Sequence, residues 1–190
     1  HYFDPGALID SVASGAVGAL KGSYVMLLHE RGGRITRRQD IPPDAFSTAD
    51  ELCRHVLALG EDWGLLFVAL SYRWLKPFKD GGPDPDGFHL AKLAAMLKLY
   101  LSNTARTSHR FARAGLKDAP DCALFWDCPS LFQPDRDEEQ ATLFSAGLRA
   151  SNSWYGHSQS IVWMQTVHPE GFAERMRELG LAETYEGSGW

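Results

Sequence analysis

The sequence predicts an α/β fold organised on a parallel sheet, and three observations carry that prediction. Strand-like and helix-like stretches alternate three times from residue 65 onward, the pattern of a sheet with helical crossovers. Leu65–Trp74 is an apolar run without a helical stripe, as in a strand buried on both faces. It stops abruptly at Ser71, Tyr72, Arg73 and Trp74, polar and aromatic groups placed at a strand's carboxyl end, where open parallel sheets gather ligands. Right-handed crossovers then bring three strand ends, Ser71–Trp74, Asp127–Gln133 and Gln165–His168, onto one rim.

The elements follow in order. Asp4-Pro5 starts a helix carrying Leu8, Val12 and Ala16. Ser23–His29 and Arg34–Arg38 flank Gly32-Gly33 and read as a β-hairpin. Arg31, Arg34, Arg37 and Arg38 then read as a solvated edge that resists aggregation. Thr48-Ala49-Asp50-Glu51 fits a capping box for a helix buried through Leu52, Val56 and Leu59 and closed by Gly60. Residues 1–62 thus form an N-terminal extension (helix, hairpin, helix) packed on an α/β domain of residues 63–190.

After the first strand comes a turn-rich loop. Its Asp84 and Asp86 lack calcium-loop spacing, because Ala95 occupies the place of the bidentate Glu. Asp86 is expected to cap the next helix, Phe88–Leu101, which buries Leu90, Leu93, Leu97 and Leu101 on one face. Asn103–Pro120 is a basic connector. Cys122–Asp127 is a second strand ending in an acid, followed by a helix from near Asp137 with Phe144, Leu148, Ser151 and Tyr155 on one face. Gln159–Gln165 is a third buried strand, and a last amphipathic helix carries Phe172, Met176 and Leu179.

Composition narrows the classes. In 190 residues, 44% hydrophobic and 23% charged composition supports one sizeable core and disfavours disorder. A net charge of -5 weighs against a general nucleic-acid binder. Cys53, Cys122 and Cys128 form no CxxC pair and are odd in number, which suits a reducing, cytoplasmic compartment and no metal site. No stretch is long and apolar enough for a bilayer span, and no signal peptide is visible. A chain running from His1 to a Gly-Ser-Gly run and Trp190 reads as part of something longer.

Phosphate-loop, dinucleotide-fingerprint and nucleophile-elbow motifs are missing. What remains is a rim carrying Arg73, Trp74, Trp126, Asp127 and Gln133 beside Ser71. Guanidinium groups pair with phosphate, aromatic faces stack on bases and carboxylates accept ribose hydroxyls. That inventory suits a nucleotide.

The stretch VALSYRWL resembles the first box of Toll/interleukin-1 receptor (TIR) domains, and equally the opening box of fungal heterokaryon-incompatibility (HET) domains. The block from Phe125 to Met164 resembles the second HET pattern, with Trp126, Asp127, Leu131, Gln133, Glu139 and Tyr155 on matching positions. Cys128 falls beside the family cysteine and Pro129 departs from the pattern. The SYRWL…PDPDGFHL arrangement also looks like a protist and algal branch of such domains. The likeness covers residues 65–190. It implies a flavodoxin-like, doubly wound sheet and two alternative activities: NAD hydrolysis at the nicotinamide–ribose bond, or non-catalytic signalling by self-association as a homo-oligomer. It places Arg73 on phosphate, Trp74 or Trp126 in stacking and Asp127 near ribose. Trp190 would be the tryptophan of the family's W-C-x-x-E run, which puts the catalytic acid past residue 190, with Glu183 and Glu186 as substitutes.

Overall fold

The computed structural model describes residues 3–60, 66–76, 82–106 and 121–188. At its centre is a four-stranded sheet in the order β1-β3-β2-β4. The strands are β1 (Leu20–Lys21), β2 (Phe67–Tyr72), β3 (Ala123–Trp126) and β4 (Ile161–Gln165). β2 pairs in parallel with both β3 and β4, Val68 lying opposite Leu124 and Ile161, while β1 runs antiparallel to β3. Seven helices are described: α1 (Gly6–Ala13), α2 (Gly22–Glu30), α3 (Ala49–Leu59), α4 (Phe88–Arg106), the single turn α5 (Asp127–Ser130), α6 (Glu138–Gly156) and α7 (Phe172–Glu178). An α/β fold with a mostly parallel sheet is therefore what the alternation of elements delivers.

Period-two alternation sorts the strand residues onto two cores. Phe67, Ala69, Ala123 and Phe125 face one core with Leu8 of α1, Leu52 of α3 and Trp154 of α6. Val68, Leu70, Leu124 and Trp126 face the other with Val25 of α2 and Leu90, Leu93 and Leu97 of α4. Trp154 fixes the first core: it stacks on Phe125 at 5.6 Å, meets Phe67 edge-on at 5.7 Å, and donates its indole N–H to Ser11 Oγ at 3.0 Å. Burying a residue of this size is worth several kcal/mol by area alone.

The capping box of α3 forms as the sequence implies, and Asp137 caps α6. Thr48 Oγ1 accepts the Glu51 N–H at 3.2 Å, Glu51 accepts the Thr48 N–H at 3.5 Å, and Asp137 accepts the Gln140 N–H at 2.8 Å.

Four expectations are corrected. The segment read as the first hairpin strand is helix α2. Gly32, at φ +67°, and Gly33, whose N–H reaches Leu28 O at 2.9 Å, close that helix in a 6→1 bond. A Gly pair that could turn a hairpin serves here as a helix C-terminus. The N-terminal segment is also more than an extension, since β1 belongs to the sheet and Leu8, Val17, Leu20 and Val25 belong to the two cores. β4 is an edge strand rather than a buried one, with Val162 at 36% and Met164 at 61% exposure. Finally, Asp84, not the exposed Asp86, caps α4: its two oxygens accept the N–H groups of His89 (2.9 Å) and Leu90 (2.8 Å). The basic connector past Arg106 lies outside the described residues until Asp121.

Candidate functional site

The chain leaves β2 toward α4 on one face of the sheet and leaves β3 toward α6 on the other. Diverging exits from adjacent parallel strands open a crevice at their carboxyl ends. A cavity of about 670 Å³ occupies this position, within the usual size of small-molecule sites. Trp74 and Lys76 come from the exit of β2, and Phe125 and Asp127 from the end of β3. Leu131, Gln133, Pro134 and Arg136 come from the following loop, and Phe144, Leu148, Ser151 and Tyr155 from α6. Those four α6 residues are the face that helical spacing marks in the sequence.

Asp127 is the carboxylate among the cavity's lining residues. Its Oδ1 accepts the Tyr72 hydroxyl at 2.7 Å and the Cys128 N–H at 2.6 Å, and its Oδ2 accepts the Trp74 indole N–H at 2.9 Å. No ion pair to Asp127 is formed among the described residues. Burial pushes its carboxyl above the usual carboxylate range, while the three donors pull it back toward the charged form. Burial, and then the Asp127 charge, hold Tyr72 well above its ordinary value, so the phenol keeps its proton and acts as donor. Tyr155 is shifted upward for the same two reasons, in that order. It donates its hydroxyl to Leu70 O at 3.0 Å and meets Phe125 edge-on at 5.4 Å. Burial raises the Cys128 thiol, which favours its protonated form.

The loop after α5 is held by groups distant in sequence. Arg38 donates to Gly15 O (2.8 Å), Ala16 O (2.9 Å) and Ser130 O (3.1 Å) and lies over the Phe132 ring at 4.2 Å. Burial lowers its guanidinium to about 10, which still leaves it charged at neutral pH. Arg38 is therefore an internal staple, not part of a solvated edge. Gln39 Nε2 donates to Gln133 O at 3.1 Å while Gln39 Oε1 accepts the Gln133 N–H at 3.2 Å. The Gln133 side chain turns back on its own loop, donating to Cys128 O and Leu131 O at 2.9 and 2.8 Å.

The residues expected at the rim divide accordingly. Trp74, Asp127 and Gln133 line the cavity. Ser71 is buried and hydrogen-bonds the Tyr185 hydroxyl instead. Arg73 is used elsewhere: it donates to Thr184 O at 3.0 Å, contacts Met176 Sδ at 3.6 Å and lies over Phe172 at 5.3 Å. Trp126 is fully buried, edge-on to Tyr72 at 5.7 Å, with no face for a base. Trp190 lies outside the described residues. Glu183 pairs with Arg177 at 2.7 Å and Glu186 is exposed; neither lines the cavity.

The chain matches no family model, no curated protein and no solved structure.

Tyr72, Lys76 and Arg136 are the site residues that reading by residue type passed over. Tyr72 closes β2, whereas Lys76 and Arg136 stand in loops that strand alternation does not reach.

Proposed function

We propose that the chain is a TIR/HET-like nucleotide-binding domain, acting in signalling or defence, whose ligand occupies the cavity beside Asp127. The observation that supports this most is the desolvated carboxylate at the carboxyl edge of a parallel sheet, positioned by Tyr72 and Trp74. A carboxylate has about four acceptor sites, and three donors reach this one. A ribose hydroxyl supplies the missing donor, and the aromatic surfaces of Trp74, Phe144 and Tyr155 suit a base. NAD is the ligand this reading favours. Its hydrolysis adds water at the ribose carbon as the bond to nicotinamide breaks, giving ADP-ribose, nicotinamide and a proton. Asp127 is the group that would steady the positive charge developing on the ribose ring.

Titration of the protein with NAD, followed by tryptophan fluorescence and by separation of products, tests the proposal. Saturable quenching that weakens about tenfold or more in Asp127→Asn supports it. No response of the wild type to millimolar NAD overturns it. Release of nicotinamide by the wild type extends binding to catalysis.

The exposed edge strand β4 favours a second reading, self-association without chemistry. Val162 and Met164 are exposed on an uncharged stretch, Ser160–Val167, which lacks the charges that usually guard a sheet edge. Under this reading sedimentation finds a dimer that Met164→Lys disperses, and NAD changes nothing.

A further inference from the structure

Neither cation of the cavity wall pairs with an acid among the described residues. Arg136 is half-buried and held at two points: Nε–H donates to Phe132 O at 2.8 Å, and the guanidinium lies 3.6 Å from the Phe144 ring centre. Its two terminal amino groups meet no acceptor among the described residues. Lys76, also half-buried, approaches from the exit of β2, and no acid pairs with it among the described residues. Other arginines are accounted for differently. Arg37 pairs with Asp40 and Asp135, Arg177 with Glu183, Arg38 is consumed by three carbonyls, and Arg73 is tied to Thr184.

A partly desolvated guanidinium is costly to leave without an anion. One whose Nε and ring face are already fixed presents its remaining N–H groups as a pre-oriented fork, the geometry that reads phosphate bidentately. A lysine from the opposite loop adds a point charge. Asp127, desolvated, lines the same cavity, so groups of both signs face it.

We infer that Arg136 and Lys76 form the anion subsite of this cavity, and that the bound nucleotide lies with its phosphate between them and its hydroxyl or amino donors on Asp127. The inference rests on the nucleotide reading for the identity of the ligand body. It moves the phosphate contact away from Arg73. Simple packing of Arg136 on Phe144 is the competing account, and it predicts no preference for an anion.

Calorimetric titration at fixed ionic strength with AMP and adenosine separates these. Wild type should prefer AMP about tenfold or more, as charge-assisted hydrogen bonds require. The preference should vanish in Arg136→Gln, shrink in Lys76→Gln and persist only in part in Arg136→Lys, which keeps the charge and loses the fork. Thermal melts confirm that each variant is folded. Equal affinity of the wild type for AMP and adenosine overturns the subsite and leaves nucleotide binding standing. If neither binds, the nucleotide reading fails, and 1-naphthyl phosphate against 1-naphthol decides the subsite. A preference for the phosphate that Arg136→Gln abolishes supports it; no preference overturns it.

Discussion

The indole N–H of Trp74 lies 2.9 Å from Asp127 Oδ2, joining the exit of β2 to the end of β3 across 53 positions of sequence. The other oxygen takes the Tyr72 hydroxyl at 2.7 Å. One acid therefore organises both lips of the crevice. Among the described residues its charge is stabilised by donors and not by a cation, and that makes it sensitive to protonation.

Asp127→Asn should change how stability depends on pH. The unfolded carboxyl has its ordinary proton affinity, and burial raises the folded one. This group therefore adds stability below the ordinary carboxylate range and withdraws it as pH rises through the folded value. The amide does not titrate. From about pH 4 to about pH 8 the wild type should lose stability relative to the variant, by about 1.4 kcal/mol per unit of elevation. Paired urea titrations at the two pH values measure this. A flat difference, or one of opposite sign, contradicts the assignment.

Arg38→Ala should cost about 2 kcal/mol or more, because Gly15 O and Ala16 O lose the guanidinium donor, each deserted acceptor costing about 1–3 kcal/mol, while Ser130 O keeps the Gly18 N–H at 2.8 Å. Arg38→Lys should recover only part, since an ammonium lacks the planar fork that spans Gly15, Ala16 and Ser130. Chemical denaturation reads both. Near-neutral behaviour of Arg38→Ala would show that the loop holds without the staple.

Substitutions at the two aspartates before α4 should separate cleanly. Asp84→Ala removes the acceptor of two helix N–H groups, an effect of about 1–2 kcal/mol. Asp86→Ala, at an exposed position, should stay within about 0.5 kcal/mol. Thermal melts that rank them in reverse would restore Asp86 as the cap.

Gly147→Ala should be destabilising by about 1–3 kcal/mol. A Cβ there would lie 2.6 Å from both Ala16 O and Leu131 Cδ2. One of those atoms is backbone, so the crowding is not relieved by a rotamer change. Because Leu131 also lines the cavity, ligand affinity should fall with stability. An unchanged melting temperature would argue against this close approach.

Much of the scaffold is legible in local patterns. The apolar run of β2, the capping box at Thr48, the Leu ladder of α4 and the four-residue face of α6 all declare themselves through spacing. What escapes is set by partners far away. Helix α2 begins with the Ser23 N–H on the Asp121 carboxylate, 98 positions on, so its own residues, rich in strand formers, give the wrong answer. Asp84 reaches α4 from beyond the Pro85–Gly87 turn. In the site, residue type alone favoured Arg73 and Trp126, whereas burial spends the first on the C-terminal segment and the second on the core.

The pairing of Leu20 and Lys21 with Leu124 and Ala123 bears on how this molecule can be dissected. Excising residues 1–62 at the boundary that composition suggests would strip β3 of its neighbour and bare the flank of Leu124. It would also remove Arg38 and Gln39, which brace the loop that carries Leu131 and Gln133. A fragment meant to retain the crevice must keep β1 and the Arg38-Gln39 brace.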